Sequence, residues 1–242
     1  MSDFARFTPL AIGPISLRER GLDREPGHWL VEGYGPLDIR GDGSTGRLLI
    51  AHGAGAGQAS TYMSRLRDAL SVQGVQTLAI EFAYMQRMRR EARRIPPPRI
   101  DRLVEELSRW CDILTHPQGG TLWLGGKSMG GRAASLLAAR DRAAGLVLCG
   151  YPFHPPGKPD NLRLSHWPLI DCPALVVQGS RDPFGTREEV VGYALGQARV
   201  HWLEDGDHDW KPRRASGYTQ EGLIEEGAAA IAAFMRENRT VT

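Results

Sequence analysis

Five stretches of this chain are apolar with little interruption and too short to be buried helices: Arg47–His52, Gln76–Phe82, Thr121–Leu124, Gly145–Gly150 and Ala174–Gly179; Arg199–Leu203 reads as a last strand. A strand with one wet face alternates between apolar and polar residues. A strand covered on both faces does not, so these runs predict a buried, parallel sheet. Helical periods fall between them. Tyr62, Met63, Leu66 and Leu70 recur within Ser60–Leu70, and Leu103, Leu107, Trp110 and Leu114 share one face of Asp101–Leu114. An alanine-rich segment, Ala133–Arg140, a short segment, Arg187–Leu195, and Thr219–Arg239 complete the series. Strand, helix, strand in this order implies right-handed crossovers and an α/β fold with helices on both faces. Residues 1–47 differ: His28–Gly35 and Leu37–Arg40 read as short antiparallel strands of the same sheet. The whole chain, 1–242, is expected to be a single domain. Tyr84–Pro98, with Arg87, Arg89, Arg90, Arg93 and Arg94 followed by three prolines, reads as a solvated loop. A docking surface for an acidic partner is the other reading of that basic run. About 20 residues of proline-rich chain follow Gly150 before the next strand, too few for a separate lid.

The stretch Gly125-Gly126-Lys127-Ser128-Met129-Gly130-Gly131-Arg132 stands where a strand pattern becomes a helix pattern. Gly126-x-Ser128-x-Gly130 has the spacing of a nucleophile elbow, where a serine occupies a strained strand-to-helix turn. Glycine on either side leaves room for that turn. Two other motifs fail at these residues and upstream. Gly126-Lys127-Ser128 imitates the end of a phosphate loop, but Thr121 stands where the first glycine belongs. Gly53-Ala54-Gly55-Ala56-Gly57 suggests a dinucleotide fingerprint, but Gln58 stands in the third glycine's place.

A serine hydroxyl needs a base, and the base an orienting acid. In elbow folds these follow in the order serine, acid, histidine. Asp182 and His208 each lie just past a strand, where open α/β sheets place their sites. Asp171, Asp205 and Asp207 compete for the acid's role, and His52 for the histidine's, though His52 reads better as shaping the glycine loop it precedes. An oxyanion hole needs two N–H donors: Met129 would supply one, and Gly53 or Ala54 the other. Lys127 and Arg132 make the elbow locally positive. Lys127 could attract an anionic substrate, while its plainer reading is a solvated side chain. His52, and Tyr151, His154 and His166 in the proline-rich crossover, are candidates to lie near substrate, with plain surface the simpler reading of His154 and His166.

Composition adds limits. With 242 residues, 41% apolar and 24% charged, the chain can bury a sizeable core. A net charge of +2 gives no strong pull toward nucleic acid or an anionic membrane. Cys111, Cys149 and Cys172 are odd in number and lack metal-type spacing, so reduced thiols are expected, and no metal or other cofactor. Met1–Arg6 has no hydrophobic signal core, and no apolar run approaches about 18 residues, so a cytoplasmic location is expected.

Four blocks together resemble a branch of the α/β-hydrolases related to the dienelactone-hydrolase-like group. They are the elbow, His52-Gly53-Ala54-Gly55, the block from Gly150 to Lys158, and Gly179-Ser180-Arg181-Asp182-Pro183-Phe184-Gly185. The resemblance spans roughly residues 45–235 and implies an eight-stranded hydrolase sheet with Ser128, Asp182 and His208 as a triad. True dienelactone hydrolases carry cysteine at the elbow, so serine here argues against that activity. The expectation is a serine hydrolase acting on a small carboxylic ester or thioester. A non-catalytic hydrolase-fold binding platform is the alternative. Oligomeric state is left open.

Overall fold

The computed structural model describes residues 10–116, 120–141 and 143–239. Met1–Arg6, read above for a leader, lies outside them. Nine strands form one sheet among the described residues. In chain order they are β1 (Leu10–Ile12), β2 (Gly27–Val31), β3 (Gly35–Arg40), β4 (Gly46–Ala51), β5 (Val75–Ile80), β6 (Leu122–Lys127), β7 (Leu146–Cys149), β8 (Ala174–Gly179) and β9 (Arg199–Leu203). Their order across the sheet is β1-β2-β3-β5-β4-β6-β7-β8-β9. From β5 to β9 all neighbours are parallel, and β3 runs antiparallel to both β2 and β5. The ninth strand, beyond the eight expected, is β1, three residues that pair parallel to β2 at the edge.

The unbroken apolar runs have a direct cause. In β4, Leu48 and Ile50 enter one buried cluster while Leu49 and Ala51 enter another. β8 divides the same way: Leu175 and Val177 against Ala174 and Val176. Two helices, α2 (Thr61–Val72) and α7 (Gln220–Glu237), cover the first cluster through Leu66, Leu70, Ile231 and Met235. On the other face lie α1 (Pro14–Glu19), α4 (Ile100–Leu114) and α5 (Met129–Arg140), bringing Leu17, Leu107, Trp110 and Leu137. Ser60 and Thr219 cap α2 and α7 by accepting from the backbone N–H of Met63 and Gly222.

The basic stretch is corrected by the structure. It opens with a helix, α3 (Ala83–Glu91), because Tyr84 and Met85 bury one side and arginine is a good helix former. The loop expected over all of Tyr84–Pro98 begins only after Ala92 and runs through the prolines. The positive charge is partly neutralised: Arg89 pairs with buried Glu81, and Glu91 pairs with Arg87 and Arg93. Arg187–Val190 forms a short helix, α6, which stops earlier than Leu195, as Gly192 falls in the following turn.

Chain order meets sheet order at β4. From there the chain moves to β5 on one side, and later to β6 on the other. Between the carboxyl ends of β4 and β6 the crossovers diverge, leaving a crevice. Ser128 follows β6 and Gly53 follows β4, so both loops rise from that point.

Candidate active site

Ser128 has φ 51° and ψ −114°, a left-handed backbone rarely adopted by residues with a Cβ. The turn is possible because β6 and α5 touch backbone to backbone. A Cβ on Gly126 would lie 2.4 Å from the carbonyl carbon of Gly130, and one on Gly130 would lie 2.4 Å from the Ala51 carbonyl oxygen. Neither position accepts a side chain. The Ser128 N–H donates to the Cys149 carbonyl at 2.9 Å, and its own carbonyl accepts from Arg132 N–H at 2.9 Å. Thus α5 begins at Met129, and its first N–H groups have no partner within the helix.

Asp182 is wholly buried just past β8, and three donors converge on its carboxylate. Phe184 N–H donates to Oδ1 at 2.9 Å; Gln178 Nε2 and His208 Nδ1 donate to Oδ2 at 3.0 and 2.8 Å. The carboxylate fixes the imidazole with its proton on Nδ1, leaving Nε2 as the acceptor. The Phe184 ring lies 4.3 Å from the imidazole, centre to centre. The loop carrying His208 is held close: a Cβ on Gly179 would lie 2.4 Å from the carbonyl oxygens of Gly206 and Asp207. The competing acids are otherwise engaged. Asp205 pairs with Arg213 and Arg181, and the Arg213 hydrogen bond is the main cause holding its carboxyl down at about 2. Asp207 caps its own turn through Asp209 and Lys211 N–H, and Asp171 is exposed.

His52 is fully buried. Nδ1 lies 2.7 Å from the Gly53 carbonyl oxygen, and Nε2 accepts the Phe82 N–H at 3.1 Å, so both nitrogens serve the loop. Tyr84 hydroxyl donates to the Ala54 carbonyl at 3.1 Å. The glycine loop is thereby pinned beside the elbow, with the Cβ position of Gly53 3.7 Å from the Ser128 Cβ. Burial lowers the His52 pKa to about 4; burial, then the charge of Arg132, does the same for His166. Each folded-state pKa lies below the unfolded value near 6.5, so the unfolded chain takes up protons first as pH falls. Stability is therefore expected to drop from pH 7 to pH 5 by about 2 kcal/mol per histidine. Urea unfolding of wild type and His52→Gln checks this. The variant should retain a smaller slope, and identical slopes would contradict the assignment.

Ser128, His208, Gly53, Ala54, Lys127 and Phe184 share the lining of one cavity of about 690 Å³, which Tyr62 and Met63 extend on the α2 side. The structure thus brings residues of the elbow, the glycine loop and the loops after β8 and β9 to one cavity. Other placements differ. Lys127 is buried, not solvated; burial pulls its ammonium below the ordinary lysine range, against the opposing charges of Asp209 and Asp182. Tyr151 is fully buried, its hydroxyl shared with Trp167, Ser135 and the Arg163 carbonyl, and it does not line the cavity. His154 is buried against Glu189 at 3.3 Å, and His166 against Ser135 at 2.8 Å. The proline-rich crossover buries all three side chains, Tyr151 and His166 against Trp167 and His154 against Glu189, so they are not plain surface and do not line the cavity. Gln178, Phe184 and Tyr62 were missed. Gln178 did leave a signal, a lone amide inside an apolar strand. Cys149 and Cys172 are buried, Cys111 is partly so, and all three are free thiols. No group of three or more His, Cys, Asp or Glu among the described residues could hold a metal ion, and no described helix is long and apolar enough to cross a membrane.

The sequence profile of the α/β hydrolase domain matches residues 44–236. The chain belongs to the α/β-hydrolase family. No curated protein sequence matches it. Among solved structures, it is similar to a dienelactone hydrolase from Anabaena variabilis, with 21% identity and a TM-score of 0.65 over 88% of this chain and 98% of that one. It is similar to Est1E from Butyrivibrio proteoclasticus, with 12% identity and a TM-score of 0.62 over 84% and 96%. An α/β serine hydrolase without a lid from Xanthomonas campestris matches with 17% identity and a TM-score of 0.54 over 82% and 91%. At these identities the likeness is one of fold. As an α/β-hydrolase, the chain builds its cavity at the carboxyl ends of the strands, where this fold carries its chemistry.

Proposed function

We propose that this α/β-hydrolase is a serine esterase or thioesterase acting on small acyl groups through an acyl-enzyme. The reading rests chiefly on one observation: the Asp182–His208 pair, joined at 2.8 Å, opens on the cavity that the strained Ser128 also lines. His208 Nε2 takes the Ser128 proton as Oγ attacks the substrate carbonyl. Asp182 holds the imidazole tautomer and stabilises the imidazolium. The oxyanion that forms is met by the N–H of Met129, at the start of α5, and by that of Gly53 or Ala54. When the intermediate collapses, His208 returns the proton to the departing alcohol or thiol. Water then repeats the sequence in reverse and frees the acid. The short crossover and the moderate cavity favour small acyl groups, and the lidless hydrolase among the structural neighbours supports an open site of this kind.

A series of p-nitrophenyl esters from acetate to octanoate, with matching acyl thioesters, tests the reading. Turnover highest at short chain length and abolished in Ser128→Ala is expected. No turnover above buffer at any length, or equal turnover by the variant, would refute it.

A further inference from the structure

Lys127, the residue before Ser128, occupies an unusual place. Its side chain leaves the end of β6, is almost fully buried, and reaches the loop after β9. There the ammonium donates to the backbone carbonyl of His208 itself, 81 residues away in sequence. It lies 3.4 Å from Asp209 Oδ1 and 5.3 Å from the centre of the Tyr62 ring, a cation–π arrangement. The route passes over Gly150, which has φ 58°. A Cβ there would lie 3.0 Å from Lys127 Nζ, 3.0 Å from the His208 carbonyl oxygen and 3.4 Å from its Nδ1. Three strands' ends therefore meet at one point: β6 through Lys127, β7 through Gly150, and β9 through His208.

This ammonium is not a free charge awaiting an anionic substrate. Asp209 and the His208 carbonyl occupy it, and Asp182 is within electrostatic reach. Cys149, the other titratable group facing it from β7, has its thiol pushed up to about 12 by burial and stays neutral. Resting on the hydrolase reading above, we infer that Lys127 is a positioning residue. It fastens the backbone of His208 to the elbow, so the imidazole is held in register with Ser128 by main chain as well as by Asp182.

The consequence is a distinct kinetic and magnetic signature. Without the tether, His208 keeps its carboxylate partner but loses its fixed distance to the serine, and misplacement of this kind costs about 100-fold in turnover. The tether acts on the imidazole and not on the acyl group, so the loss should fall mainly on kcat, with KM within about threefold.

The test compares wild type with Lys127→Met, and with Gly150→Ala as a second variant whose added methyl crowds the ammonium and the carbonyl alike. Two readouts apply: kcat and KM on the best p-nitrophenyl ester, and the low-field proton resonance of the His208 Nδ1–H bond to Asp182. The expected result is lower kcat with KM nearly kept, and a shifted or broadened proton signal, in both variants. The resonance reads the tether in the absence of any activity, so an inactive wild type would count against the hydrolase reading and leave this one to the spectrum. A folded variant with unchanged proton signal would overturn the proposal. So would unchanged kcat in a variant of an active wild type.

Discussion

Ser128→Ala is expected to lower kcat on the preferred ester by a factor on the order of 10⁵ while leaving the fold intact. The size follows from what the hydroxyl alone would supply. No other described hydroxyl lies on the elbow, so the acyl-enzyme proposed above would form on Ser128. Residual turnover would come from the oxyanion donors and from holding the substrate near water. The fold should survive because alanine keeps the Cβ and the φ of 51° that serine already tolerates. Thermal unfolding and steady-state kinetics on the same preparation separate the two effects. A variant with lower activity and an equally lowered melting temperature would instead point to a structural role for Ser128.

Asp182→Asn should cost about 10⁴ in kcat, for a reason that lies in the donors around it. Phe184 N–H, Gln178 Nε2 and His208 Nδ1 all point at two carboxylate oxygens. Asparagine has one oxygen and one NH₂. If the amide nitrogen takes the place of Oδ2, it faces Gln178 and forces His208 to carry its proton on Nε2, where it cannot accept one from serine. If it takes the place of Oδ1, it meets the Phe184 N–H, donor against donor. The second arrangement preserves the tautomer but leaves buried donors unpaired, at about 1–3 kcal/mol. The variant should therefore lose activity, or stability, or some of both. Unchanged kcat with unchanged stability would mean that the carboxylate does not orient His208.

How much of this was legible in the chain depended on how local each signal was. The two-faced burial of β4 and β8 left unbroken apolar runs, so the parallel sheet could be read from periodicity. The elbow was legible because its glycines are required by backbone contacts within a few residues, as between Gly126 and Gly130. His52 sits directly before the glycines it braces, so that bracing was legible, but it is fully buried and does not line the cavity, unlike a residue near substrate. Lys127 was not legible. A lysine in a turn reads as solvated, and its partner is a carbonyl 81 residues on. Tyr151 and His154 misled for the opposite reason. Polar aromatic residues among prolines resemble an exposed substrate loop, while Trp167 and Glu189, which enclose them, lie further along the chain. The helix α3 was hidden by its arginines, whose charge suggested solvent while Tyr84 and Met85 supplied the buried side.

The most direct measurement is the reaction of the intact protein with a fluorophosphonate, followed by peptide mass spectrometry. The adduct is predicted on the peptide containing Ser128. It should be absent in Ser128→Ala and formed much more slowly in His208→Ala. Wild type that resists the reagent, or an adduct that persists in Ser128→Ala, would contradict the claim that this elbow holds an activated serine.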